Sequence, residues 1–118
     1  MKLFDDGATT VYTTEEWKQV ERFPRYEVST MGRFRHKATG RILKGNENHN
    51  RYMHITLTKD GVAFTRMQHR VIAETWLERP SEKHNEVNHL NKCRTDNRVS
   101  NLEWVTRQQN ALHAMRKQ

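Results

Sequence analysis

Apolar and polar residues alternate in short paired runs between residues 26 and 67, and the period lengthens at Gln68. Residues 26–29 (Tyr-Glu-Val-Ser) alternate, Met31-Gly32 breaks the run, and 33–36 (Arg-Phe-Arg-His) alternate again, which predicts a β-hairpin. A shorter strand is expected around Ile42-Leu43, punctuated by Gly40 and Gly45. Residues 52–58 alternate over their length, Asp60-Gly61 favours a two-residue type I′ loop, and 62–67 form the return strand. From Gln68, Val71, Ile72, Thr75 and Trp76 recur at helical spacing, so a helix is expected to end near Arg79-Pro80. Near the start, Thr13-Thr14-Glu15-Glu16-Trp17 offers an N-cap followed by acidic residues and predicts a short helix that Phe23-Pro24 interrupts. Residues 1–10 have no clear period and read as a weakly ordered lead-in.

The last third repeats the strand theme and closes on a helix. Residues 87–90 (Val-Asn-His-Leu) read as a strand, 91–100 as a polar loop, and 102–105 (Leu-Glu-Trp-Val) as the returning strand. Thr106 then caps a helix with Ala111, Leu112 and Met115 on one face. The expected class is α+β, with a small hairpin-rich N-terminal part followed by a strand–loop–strand–helix unit at about 86–117. Residues 1–50 and 51–118 are the expected domains, and 81–85 form a polar linker. Only 34% of the 118 residues are hydrophobic, so the core should be modest and divided between small units.

Composition narrows the partners. A formal charge of +7 favours a polyanionic partner. The lone Cys93 excludes an internal disulfide and a Cys-rich zinc site and fits a reducing compartment. No stretch is long and apolar enough to span a membrane and no signal-peptide pattern opens the chain, so a soluble cytoplasmic protein is expected. His36, His49, His54 and His84 have no spacing partners that suggest zinc, and Trp76 and Trp104 read as core.

The chemistry concentrates in residues 86–110. His89, Asn101 and Asn110 are spaced 12 and 9 apart across the strand, loop, strand and helix. Hydrolysis of a phosphodiester needs a base for the attacking water and a cation beside the phosphate. A neutral imidazole meets the first need at neutral pH, and a hard cation held by oxygen ligands meets the second.

The stretch VNHLNKCRTDNRVSNLEWVTRQQN resembles the HNH endonuclease motif, the ββα-metal or His-Me finger site of phage and homing enzymes. The block from Asn101 to Thr106 followed by Asn110 is its most specific part, and the resemblance covers about 68–114. Upstream, Trp17, the run 26–29 and Gly32-Arg33-Phe34-Arg35 resemble the nuclease-associated modular segment that precedes such domains. The resemblance implies His89 as general base and Asn101 as the residue that pins the loop and orients it. It implies metal ligation by Asn88 and Asn110, with His113, one turn on, as a substitute ligand. The ion implied is Mg²⁺, with Mn²⁺ an alternative, and no structural zinc. Asn88 stands where the family often has Asp, which weakens the attraction for a cation. The expected activity is nicking or double-strand cleavage of DNA, and the alternative is a catalytically weak or inactive DNA-binding regulatory phage protein. A third class is a phage inhibitor that uses its basic surface against an acidic host protein.

Duplex DNA would be positioned by Lys92, Arg94, Arg98 and Arg107 near the motif, with Arg116 and Lys117 beyond, and by Arg33, Arg35, Lys37, Arg41 and Lys44 upstream. His69-Arg70 divides between packing and phosphate contact. With about six phosphates neutralised, log affinity should fall with log salt at a slope of about −5. A monomer that nicks one strand at a time is expected, in the cytoplasm of a bacterial host if the chain is phage-encoded.

Overall fold

The computed structural model describes residues 14–115 throughout, together with the backbone of two short strands ahead of them. Those strands are β1 (Lys2–Asp5), within the expected weakly ordered lead-in of residues 1–10, and β2 (Thr10–Tyr12), which runs just past it, and they pair antiparallel. The helix expected at 13–17 does not form. Thr13 lies outside the described residues, and strand β3 (Trp17–Val20) begins where the helix should continue. Pairing across the chain outweighs the local cap signal. The Glu16 carbonyl accepts from Thr30 N at 2.9 Å, and Glu16 N donates to Thr30 Oγ1 at 3.1 Å.

Strand β3 opens an antiparallel sheet in the order β3-β4-β5-β6, with β4 (Phe23–Ser29), β5 (Phe34–His36) and β6 (Ile42–Leu43). The expected hairpin is β4 and β5, with Val28 opposite Phe34. Ser29 Oγ accepts from the backbone N–H groups of Met31 and Arg33, both at 3.1 Å, and closes its turn. A second sheet holds β7 (Asn46–Glu47), β8 (Met53–Lys59) and β9 (Val62–Met67). Asp60 and Gly61 both lie in the left-handed region (φ 53° and 79°), as a type I′ turn requires. Tyr26 Oη accepts from Thr58 N at 3.0 Å and ties the two sheets together.

Helix α1 (Gln68–Trp76) stops three residues short of Arg79, because Leu77 turns extended and packs against the core. Val71, Ile72 and Ala73 are buried, and α1 touches both sheets and the final strand pair. The core is therefore continuous and not divided. Val20, Phe23, Tyr26, Val28 and Phe34 meet Ile55, Leu57, Val71 and Ile72, and the cluster extends to Val99 and Leu102.

The closing unit is β10 (Glu86–His89), a loop ending in a short 3-10 turn (Val99–Asn101), β11 (Leu102–Val105) and α2 (Arg107–Met115). Thr106 Oγ1 accepts from Gln109 N at 3.1 Å and Gln109 Oε1 accepts from Thr106 N at 2.9 Å, a reciprocal capping box. The apolar face expected to anchor α2 points outward instead, with Leu112 53% and Met115 78% exposed. Asn110 and His113 are the half-buried positions of this helix. No described helix is long and apolar enough to cross a membrane.

Candidate functional site

Strands β10 and β11 pair with Glu86 opposite Val105, Asn88 opposite Glu103 and His89 opposite Leu102. The loop between them is held by one side chain above all. Asn101 Oδ1 accepts from Asn91 N at 3.1 Å, while Asn101 Nδ2 donates to Asn91 Oδ1 at 3.0 Å and to the Asp96 carbonyl at 2.9 Å. Asn91 Oδ1 also accepts from Cys93 N at 2.8 Å, and Arg98 grips the Asp96 carboxylate with two 2.8 Å bonds. That guanidinium holds the Asp96 pKa down to about 2, so the clamp stays charged across the useful pH range. Val99 N donates to the Thr30 carbonyl at 2.9 Å and fastens the loop to the first sheet.

His89 lies buried at the end of β10. Its Nε2 is 2.7 Å from Asn97 Oδ1, so Nε2 carries the hydrogen and Nδ1 keeps the lone pair a base requires. The His69 ring, from the first turn of α1, sits 4.9 Å away and is itself stacked on Tyr52 at 5.2 Å. Burial lowers the pKa of His89, with the Asn97 bond opposing, and lowers that of His69 to about 4. Both imidazoles are therefore neutral at pH 7. Asn97 has no counterpart in the sequence reading: it is an unremarkable loop amide until the loop folds.

Asn88, His89 and Asn110 line one cavity of about 500 Å³ together with Glu86, Tyr52, Lys92, Arg94, Arg107 and His113. Asn88 is buried and Asn110 half-buried. Among the described residues no three His, Cys, Asp or Glu side chains gather as a metal site, so a cation here would depend on amide oxygens. The donors fit a hard cation: two amides share the cavity with His113, whose Nε2 is buried without a hydrogen-bond partner.

Residues 15–58 match the NUMOD4 motif, and residues 66–112 match the HNH endonuclease family model. The HNH match spans the strand–loop–strand–helix unit that holds the candidate site, as far as Leu112 in α2. It is 35% and 37% identical to two uncharacterized HNH endonucleases of Acanthamoeba polyphaga mimivirus, over 85% and 86% of its length. It spans only 30% and 26% of those viral proteins. Among solved structures it resembles one described as DNA binding and cleavage by the HNH homing endonuclease I-HmuI. The TM-score is 0.77 at 30% identity, with 85% of this chain and 57% of that chain covered.

The HNH-matching stretch and the sheet before it share out the basic residues unevenly. Lys92, Arg94 and Arg107 line the HNH cavity. Arg94 is tethered there, its guanidinium 4.7 Å over the Tyr52 ring and 2.8 Å from the Asn50 carbonyl. Arg98 is committed to Asp96. Arg33 forks onto Glu15 and Arg35 pairs with Glu27 at 2.8 Å, and both guanidiniums flank the Trp17 ring. Lys37 and Arg41 line a separate groove with Arg25 and His36. Arg70 donates to the Asn85 carbonyl at 2.6 Å and lies over Trp104, and Arg116 and Lys117 lie outside the described residues. Trp76 and Trp104 spend their indole N–H groups on the Val28 and Leu77 carbonyls, as core residues do.

Proposed function

We propose that this chain binds duplex DNA and hydrolyses its phosphodiester bonds as a metal-dependent endonuclease. The observation that carries the reading is His89, held through Nε2 by Asn97 and sharing a cavity with Asn88, Asn110 and three basic side chains. His89 Nδ1 takes the proton of the attacking water, and the Asn97 bond keeps the ring in the tautomer that can do so. Asn101 acts through the loop it ties together and is a positioning residue. Lys92, Arg94 and Arg107 hold the phosphate, and the groove of Arg25, His36, Lys37 and Arg41 extends the contact along the backbone. In this reading residues 1–50 contribute DNA contacts and 51–118 contribute cleavage.

A divalent metal, Mg²⁺ or Mn²⁺, would be held by Asn88 and Asn110, with His113 in reserve, and would supply positive charge beside the phosphate and leaving oxygen. One site in one chain cuts one strand per encounter, so a monomer nicks. A second reading, a DNA-binding protein with weak or lost cleavage, draws on the neutral amide of Asn88.

Relaxation of supercoiled plasmid separates the two. The wild-type chain should nick DNA with Mg²⁺ or Mn²⁺, and EDTA should stop it. His89→Ala should lose about 100- to 10,000-fold in rate with its gel-shift affinity unchanged. Equal cleavage by His89→Ala removes it as the base, and retardation of DNA without nicking under any divalent metal favours the second reading.

A further inference from the structure

The two amides that would ligate the cation each face a carboxylate. Asn110 Nδ2 donates to Glu86 Oε1 at 2.6 Å, and Asn88 Nδ2 donates to Glu103 Oε1 at 3.2 Å. An amide has its two donors on one side and its acceptor oxygen on the other. Fixing the NH₂ on a carboxylate therefore fixes which way the oxygen points. The strand pair provides both partners by register. Glu86 lies two residues before Asn88, on the same face of β10, and Glu103 is directly opposite Asn88 on β11.

Charge gives the arrangement a second consequence. The donors toward a cation are neutral amides and imidazole, while Lys92, Arg94 and Arg107 line the same cavity. Glu86 is the one carboxylate among the residues lining it. A dication drawn into that space would otherwise meet three positive side chains and no compensating anion. Glu103 is exposed and lines a neighbouring cavity that shares His113.

We propose that Glu86 and Glu103 are positioning carboxylates of the metal site, aiming the amide oxygens of Asn110 and Asn88 at the cation. Glu86 also supplies the negative charge that the neutral ligands lack. The proposal rests on the reading of Asn88 and Asn110 as the ligand pair. It makes the amide at position 88 workable, because the charge sits one layer out instead of on the ligand.

Mn²⁺ titration of the whole chain, followed by electron paramagnetic resonance without DNA, tests both levels. Wild type should bind and Asn110→Ala should not. Glu86→Gln keeps an acceptor for Asn110 but removes the charge, and should weaken Mn²⁺ by about 10-fold or more. Glu86→Ala, which loses both, should weaken it further, and Glu103→Gln should cost a few-fold. Asn88→Asp should tighten binding and shrink the penalty of Glu86→Gln, a rescue that a merely structural role would not produce. Circular dichroism checks folding, and if Glu86→Gln fails to fold, the exposed Glu103→Gln decides. Wild-type Mn²⁺ affinity in Glu86→Gln and Glu103→Gln, with binding abolished in Asn110→Ala, overturns this proposal alone. Absence of binding in wild type, or its survival in Asn110→Ala, overturns it together with the ligand assignment.

Discussion

Two regions of the one continuous core differ in what they enclose. Between the two N-terminal sheets and α1 the packing is mainly apolar, with Val28, Leu57 and Ile72 fully buried. Around β10, β11 and the loop between them, buried Leu102, Trp104 and Val105 are joined by the polar Asn88, His89, Asn97 and Asn101, with half-buried Asn110 and His113 on α2. The helix over the second region even turns its apolar residues to solvent. A polar interior gains little from burial and stays ordered only if its hydrogen bonds are made. Asn101 illustrates the point, with three bonds to two loop residues. The difference suggests a division of labour, in which the apolar region provides stability and the polar region provides a shaped, hydrogen-bonded cavity.

The largest effect that would test this division is a cavity in the apolar region. Ile72→Ala should cost about 2–5 kcal/mol in urea unfolding, because α1 joins both sheets to the strand pair and Ile72 has no exposed surface. His89→Ala, in the polar region, should cost less, about 1–3 kcal/mol for the Asn97 oxygen it strands, while its cleavage collapses. Similar unfolding losses for the two variants would end the division.

Acid should strike next, at the imidazole pair of His69 and His89. His69 has its pKa lowered to about 4 by burial, with His89 and Arg70 as neighbouring charges, against 6.5 in the unfolded chain. Above pH 6.5 neither state binds the proton and the full stability is present. As pH falls toward 4 the unfolded chain takes up a proton that the folded chain refuses, so stability falls, by about 3 kcal/mol at most. His89, lowered by burial as well, adds loss of the same sign. The urea midpoint should therefore drop between pH 6.5 and 4, and His69→Leu should flatten the slope. A wild-type midpoint unchanged across that window would show that His69 titrates normally.

The sequence displayed the two regions with unequal clarity. Asp60-Gly61 and the alternation around it are local signals, and β8 and β9 form where they indicate. The spacing of His89, Asn101 and Asn110 is also local, since a strand pair, a loop and a helix within 25 residues bring them together. What escaped is non-local. Strand β3 is specified by partners at 27–30, not by Thr14 and its acidic neighbours. The charges of Arg33 and Arg35 counted toward DNA in the sequence, yet Glu15 and Glu27 already occupy them. Asn97 and His69 became partners of His89 only through the loop and the start of α1, and the outward apolar face of α2 resembled a core face because periodicity carries no direction.

One of the contacts between the loop and the first sheet sets up the smallest and most specific test. Gly32, at the tip of the β4–β5 turn, has φ 81°, and a Cβ placed there would lie 2.7 Å from the Asn97 carbonyl oxygen. Asn97 in turn holds His89. Gly32→Ala should therefore cost about 1–2 kcal/mol from the left-handed backbone and, in addition, slow cleavage by displacing Asn97. Gly61→Ala supplies the matched control, because its φ is 79° and a Cβ there meets nothing within 4 Å. It should carry the backbone cost and leave cleavage alone. A lower kcat in Gly32→Ala with unchanged DNA affinity, absent from Gly61→Ala, would locate the coupling at this contact. Equal cleavage by the two variants would mean that the polar region tolerates a shift of its loop.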